Sequence, residues 1–179
     1  MEERFLLWIH SHAGPLPDRV FLFSNLFGLL PVCATLVTAM VVYYLLLKEH
    51  RETLAWAVVG LVTFVVPELI KHVTARPRPE LWETLIRPAG FAMPSGHAVA
   101  SAAFYPLLGW ALVRVSGGAA AVGYCVGGIF ALFVGFGRLY LGVHWPSDVL
   151  VGWVLGFAQS VLAIAWLKGR ASGFQTADR

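Results

Sequence analysis

The sequence predicts an all-α, polytopic transmembrane helix bundle of about five to six spans, with short interfacial helices near its N-terminal end. Three observations predict it. Of 179 residues, 58% are hydrophobic and only 13% charged, against about 45–50% and about 25% in soluble domains. The mean hydropathy is +0.72. Long uncharged stretches recur along the whole chain. A single core of this size cannot hide so much apolar surface from water, so lipid is part of the solvent. This excludes a disordered chain, a collagen-like chain and an ordinary cytosolic enzyme, and it favours one domain over residues 1–179.

A spanning helix needs about 20 mostly apolar residues. The uncharged stretch 20–47 is too long for one upright helix and is punctuated by Asn25, Gly28 and Pro31. The first span is therefore expected over about 29–47. The second is expected over about 53–72, ahead of Pro77 and Pro79. Three more uncharged stretches, 98–113, 115–137 and 149–167, complete five spans. In residues 1–28, Phe5, Leu6, Trp8 and Ile9 suit one face of a short helix, and Asp18 and Arg19 interrupt the apolar run. Two interfacial helices are favoured there over a sixth, broken span. The run 5–9 is too short, and too near Glu2 and Glu3, for a secretory signal peptide. The expected layout is an interfacial segment over 1–28, a helix bundle over 29–168 and a cytoplasmic tail over 169–179.

The loops then alternate between two faces. One face carries residues 48–51, the turn at Arg114, and the tail with Lys168, Arg170 and Arg179. Cationic loops favour the cytoplasm, so the other face is expected outside it. The net charge is +3, yet the basic residues form neither a run nor an aromatic-interleaved patch, which argues against nucleic acid as a partner. Cys33 and Cys125 sit in apolar stretches and read as small hydrophobes. Gly123, Gly127 and Gly128, and Gly152 and Gly156, are spaced for close helix approach. Such faces serve either a homodimer seam or, more plainly, packing inside one bundle.

Charged residues at membrane helices are expensive and tend to be functional. Here they gather at the non-cytoplasmic ends. Lys71 ends the second span, and Arg78 follows in the loop. Ser95, Gly96 and His97 open the third span. Arg138 ends the fourth, and His144 and Asp148 flank the start of the fifth. Lys71, Arg78 and Arg138 supply three positive charges, and arginine's donor fork matches phosphate oxygens. Ser95 is placed to cap a helix whose start favours an anion, and Gly96 lets backbone approach a bound group. This set reads as a cradle for a dianionic phosphate with no metal. His144, oriented by Asp148 across the Trp145-Pro146 turn, has the makings of a nucleophile. His97 suits a general acid for the leaving oxygen.

These residues resemble the three-part signature of the type 2 phosphatidic acid phosphatase superfamily. The parts are Lys71-x6-Arg78-Pro79, then Pro94-Ser95-Gly96-His97, then Arg138-x5-His144-x3-Asp148. The resemblance implies a membrane helical bundle that hydrolyses lipid phosphates without metal or cofactor. It implies His144 as the nucleophile forming a phosphohistidine, Asp148 as its orienter and His97 as the acid. It implies Lys71, Arg78, Ser95, Gly96 and Arg138 as the phosphate-holding set. It also implies a site on the extracytoplasmic face, as in a bacterial inner membrane. The substrate class it implies is polyprenyl diphosphate or phosphatidylglycerophosphate. Gly137 departs from the pattern, which usually carries Ser or Thr before the arginine, so one hydroxyl contact is expected to be missing. A lipid phosphotransferase, a non-catalytic lipid-phosphate binding or transport protein, and a vanadium haloperoxidase remain as alternatives. The apolar helices argue against the last.

Glu68, one turn before Lys71, is expected to form a salt bridge with it. His72 is expected to face the interface. Arg76, Arg87, Glu80 and Glu83 are candidates for reading a headgroup or for an ordinary solvated loop. Tyr140 suits either a pocket wall or packing.

Overall fold

A computed structural model describes residues 1–169, which form seven α-helices and no strand. The expected tail lies almost wholly outside the described residues, which exclude 170–179 with Arg170 and Arg179. The helices are α1 (Glu2–His10), α2 (Pro15–Leu26), α3 (Leu30–Leu46), α4 (His50–Thr74), α5 (Gly96–Val115), α6 (Ala120–Tyr140) and α7 (Pro146–Lys168). Proline in the first turn starts α2, α3 and α7, where its missing N–H costs no helical bond. α4 stops at Ala75, which takes a left-handed φ of 44° just before the Pro77 and Pro79 pair.

Each of α4 to α7 is long and apolar enough to cross a membrane. α2 and α3 meet at a 44° bend, and together they make up a fifth candidate span. The expected first span over 29–47 corresponds to α3, which is long enough to cross a membrane only together with α2; residues 1–28, expected as interfacial, form α1 and α2.

α5 is the hub. Ala98, Val99, Ala100, Ser101, Ala102, Ala103 and Phe104 are all buried, because α4, α6 and α7 pack around it. Small residues on both sides let backbones meet, which is how helices associate where lipid removes the hydrophobic drive between them. Gly123 of α6 lies on Gly109, and Gly127 lies on the Tyr105 and Pro106 backbone. Gly152 and Gly156 of α7 lie on the α5 backbone at Ser95 and Val99. The glycine faces are therefore filled from within the bundle. Interhelical hydrogen bonds add to this packing. Ser101 Oγ donates to the Ala131 carbonyl at 3.3 Å, and Thr63 Oγ1 donates to Gln159 Oε1 at 2.9 Å.

The alternation of helix direction brings one set of ends together: the end of α4, the start of α5, the end of α6 and the start of α7. α1 and α2 cover this end. Leu6 and Ile9 of α1 are buried with Leu139, Leu141, Val143 and Val149.

A Cβ at Gly156 would overlap the Val99 carbonyl, which is backbone and cannot step aside. Gly156→Leu should therefore cost about 1–3 kcal/mol or more from overpacking, read as a fall of several degrees in melting temperature in detergent. At Gly128 a Cβ would meet only the Phe157 ring, at an ordinary 3.7 Å. Gly128→Ala should leave the melting temperature at or slightly above that of the wild type.

Candidate active site

The convergent helix ends bring all eight sequence-predicted residues to one end of the bundle. His144 lies in the turn between α6 and α7 and is only 2% exposed. Its Nε2 is 3.0 Å from an Arg78 guanidinium nitrogen. A guanidinium has no lone pair to offer, so Nε2 must be the acceptor. That assigns the ring proton to Nδ1, which faces Asp148 Oδ2 at 3.6 Å. The Nε2 lone pair thus points at Arg78, away from Asp148.

The 3.6 Å separation is too long for a hydrogen bond. The Asp148 carboxylate is committed elsewhere. Its Oδ2 accepts from the Trp145 backbone N–H at 2.8 Å, in the first turn of α7. Its Oδ1 accepts from Arg76 at 2.7 Å. Arg76 also donates to Ser147 Oγ at 2.5 Å and to Glu2 Oε2 at 2.7 Å. Glu2 Oε1 in turn accepts from the Ser147 backbone N–H at 2.8 Å. Asp148 is fully buried, and breaking such an ion pair leaves an uncompensated charge. Arg76 therefore holds Asp148 and ties α1 to the start of α7. Neither Glu2 nor this position of Arg76 had a sequence signal.

Arg78 is also committed. Its Nε–H donates to the Gly90 carbonyl at 3.0 Å. One terminal nitrogen donates to the Val143 carbonyl and to His144, the other to the Ala89 and Phe91 carbonyls. These five partners use all five donors of the guanidinium. Arg78 thereby folds the long loop back onto the α6–α7 turn. A phosphoryl group reaching His144 must take over the donor that now points at Nε2.

The remaining residues leave donors unused. Among the described residues, the buried side-chain polar atoms without a hydrogen-bond partner are Ser95 Oγ, His97 Nε2, Arg138 Nε, His144 Nδ1 and Trp110 Nε1. Four of the five belong to the predicted site. Each such orphan costs about 1–3 kcal/mol, and Ser95 Oγ, His97 Nε2 and Arg138 Nε are groups with hydrogen bonds still to give. Lys71 Nζ would lie 3.8 Å from a Cβ at Gly96, so this cation stands beside the start of α5. It is bonded to Glu68 at 2.6 Å, as expected. A cavity of about 300 Å³ is lined by Glu68, Lys71, Gly96 and His97 together with Leu30, Cys33 and Phe64.

The other weighed residues lie apart from these donors. His72 turns to the Glu68 carbonyl. Arg87 pairs with Glu83 on the exposed loop. Tyr140 donates to Asp18 Oδ1 at 2.6 Å and packs on Phe21, so it fastens α2 to α6.

Burial, above all, pushes the His144 imidazole down to about 4, with the Arg138 and Arg78 charges adding to the effect and Asp148 opposing it. The folded value lies below the usual 6.5, so this group's share of stability is present above pH 6.5 and is lost as pH falls toward 4. Histidine side-chain NMR should find His144 neutral at pH 6. Arg78→Ala removes a positive neighbour and should move the midpoint upward. A wild-type midpoint at or above 6.5 would contradict this environment.

Residues 52–172 match the PAP2 superfamily. The chain is 37% identical to phosphatidylglycerophosphatase B of Bacillus subtilis over 93 residues, half of this chain and 45% of that protein. It is 29% identical to an undecaprenyl-diphosphatase of Sulfolobus acidocaldarius over 133 residues, 72% of this chain and 60% of that one. The chain thus spans about half the length of these curated relatives. Among solved structures, a transmembrane PAP2-type phosphatidylglycerolphosphate phosphatase from Bacillus subtilis superposes with a TM-score of 0.78 at 26% identity, covering 99% of this chain and 87% of that one. LpxE of Aquifex aeolicus shares the fold, with a TM-score of 0.67 at 19% identity over 90% of this chain and 93% of that one. With more than half of its length matched and the whole bundle superposed, the chain belongs to the PAP2 superfamily.

Proposed function

We propose that this protein hydrolyses a lipid phosphate or diphosphate without metal, through a phosphohistidine on His144. The observation that carries the reading is the cluster of unpartnered donors, Ser95 Oγ, His97 Nε2 and Arg138 Nε, at the helix ends that also hold the His144 lone pair.

The phosphoryl group enters between Arg78 and His144. Lys71, Arg78, Ser95, the Gly96 backbone and Arg138 bind its oxygens and stabilise the charge that grows on them. His144 Nε2 attacks phosphorus, forming the P–N bond, while the P–O bond to the lipid breaks. His97 gives its proton to the leaving oxygen. The proton on His144 Nδ1 stays beside Asp148, whose charge supports the phosphorylated ring. Water then attacks phosphorus, the P–N bond breaks, and His97 takes the proton from that water. Inorganic phosphate leaves, and both histidines return to their starting forms.

The lipid side of the leaving group fits the cavity that His97 and Lys71 line together with the apolar Leu30, Cys33 and Phe64. The names of the relatives support phosphatidylglycerophosphate or a polyprenyl diphosphate as the substrate. The cation bias of the opposite loops supports a site on the extracytoplasmic face, which in a bacterial inner membrane is the periplasmic or outer side. In this layout residues 1–28 lie at the interface above the site, 29–168 form the bundle and 169–179 the cytoplasmic tail.

The test is phosphate release by detergent-purified protein, with chelator present, over a panel of lipid phosphates. Release should persist under chelation and be blocked by vanadate. His144→Ala should lower turnover roughly a thousandfold or more. His97→Ala should cost about 10²–10⁴-fold on lipid substrates, and far less on an aryl phosphate whose leaving group needs no proton. Metal-dependent release, or full activity in His144→Ala, would overturn the reading. Phosphate passed to an added acceptor lipid would favour a transferase.

A further inference from the structure

The α2–α3 corner touches the site at three points. Asn25 Oδ1 accepts a hydrogen bond from the Arg138 guanidinium. A Cβ at Gly28 would overlap the His97 ring, so the corner packs directly on that imidazole. A Cβ at Gly137, the residue before Arg138, would meet Ser24 Oγ at 2.6 Å and the Phe21 ring at 3.3 Å. The missing side chain at 137 is thus what lets α2 come close enough for Asn25 to reach Arg138. The corner is itself pinned, since the Phe27 carbonyl accepts from the Tyr105 hydroxyl at 2.6 Å.

Arg138 is 1% exposed, and among the described residues it contacts no carboxylate. Its Nε–H has no partner. Asn25 is therefore the neutral group that fixes the guanidinium plane. An amide oxygen can hold one arm of the fork without cancelling its charge, and it leaves the Nε–H edge for a ligand.

We infer that Asn25 is a positioning residue for phosphate binding: α2, admitted by Gly137, uses its amide to aim Arg138 while leaving that cation uncompensated. This rests on the phosphatase reading above. The choice of amide over carboxylate is the core of it. A carboxylate at position 25 would hold Arg138 just as firmly, but it would pair with the charge that the phosphate needs and repel the incoming dianion.

The decisive variant is Asn25→Asp, nearly identical in shape. It should fold with a melting temperature at or above wild type. KM for the lipid phosphate and the inhibition constant of orthovanadate should both rise at least tenfold, with kcat changed much less. Asn25→Ala, which frees the guanidinium without adding charge, should lower kcat/KM by about tenfold and, because it strands a buried guanidinium arm, should also lower the melting temperature, which Asn25→Asp does not. Direct binding of inorganic phosphate to the purified variants, by calorimetry, gives the same order without turnover. An Asn25→Asp protein whose KM and vanadate inhibition stay within twofold of wild type would overturn this inference and leave the phosphatase reading standing. A wild-type protein that neither releases phosphate from lipids nor binds orthovanadate would overturn both.

Discussion

Arg138 sets the terms for this end of the molecule. It is a full positive charge at the end of a lipid-facing helix, 1% exposed, with no acid in contact among the described residues. Such a charge is tolerable only if neutral dipoles hold it and an anion completes it. The neighbouring cations follow the same rule. Arg78 is held by four backbone carbonyls and one neutral imidazole. Of Lys71, Arg78 and Arg138, it is Lys71, nearer the rim, that has a carboxylate partner among the described residues, and that partner is exposed enough to let it go. The one buried acid among the described residues, Asp148, is already matched by Arg76. The pocket therefore keeps its positive charge for a ligand.

The scaffold exists to hold these groups at fixed helix ends. Small residues along α5 bring α6 and α7 to backbone contact, so Ser95, Arg138 and Asp148 are placed by rigid helices. Ser95 and Asp148 are joined directly, the Ser95 N–H donating to the Asp148 carbonyl at 3.0 Å. The covering helices are part of the arrangement. α1 reaches Asp148 through Glu2 and Arg76, and α2 reaches Arg138 through Asn25. Both helices lie in the stretch that composition describes merely as interfacial.

The sequence makes the bundle and the eight candidate site residues legible for different reasons. Spans show as uncharged runs bounded by Pro and Arg, and the helices follow those runs to within a few residues. Lys71, Arg78, His97, Arg138, His144 and Asp148 stand out because charge in an apolar chain is rare. What stayed hidden is pairing across long separations. Glu2 and Arg76 are 74 residues apart, and Asn25 and Arg138 are 113 apart. No periodicity links such positions. By sequence Arg76 suits a headgroup contact or a solvated charge equally, and its partners come from helices far away in the chain. Arg78 read as a free clamp, because backbone carbonyls at 89–91 leave no trace in side-chain identity. Gly137 read as a lost hydroxyl, whereas in the fold it makes room for Ser24 and Asn25.

The most direct measurement of the central claim is covalent trapping. Purified protein would be mixed with a ³²P-labelled lipid phosphate, quenched under alkaline conditions that preserve phosphohistidine, digested and mapped by tandem mass spectrometry. The account predicts label on His144, formed within a turnover and absent from His144→Ala. Label on another residue, or steady hydrolysis by a protein that never carries label, would contradict it.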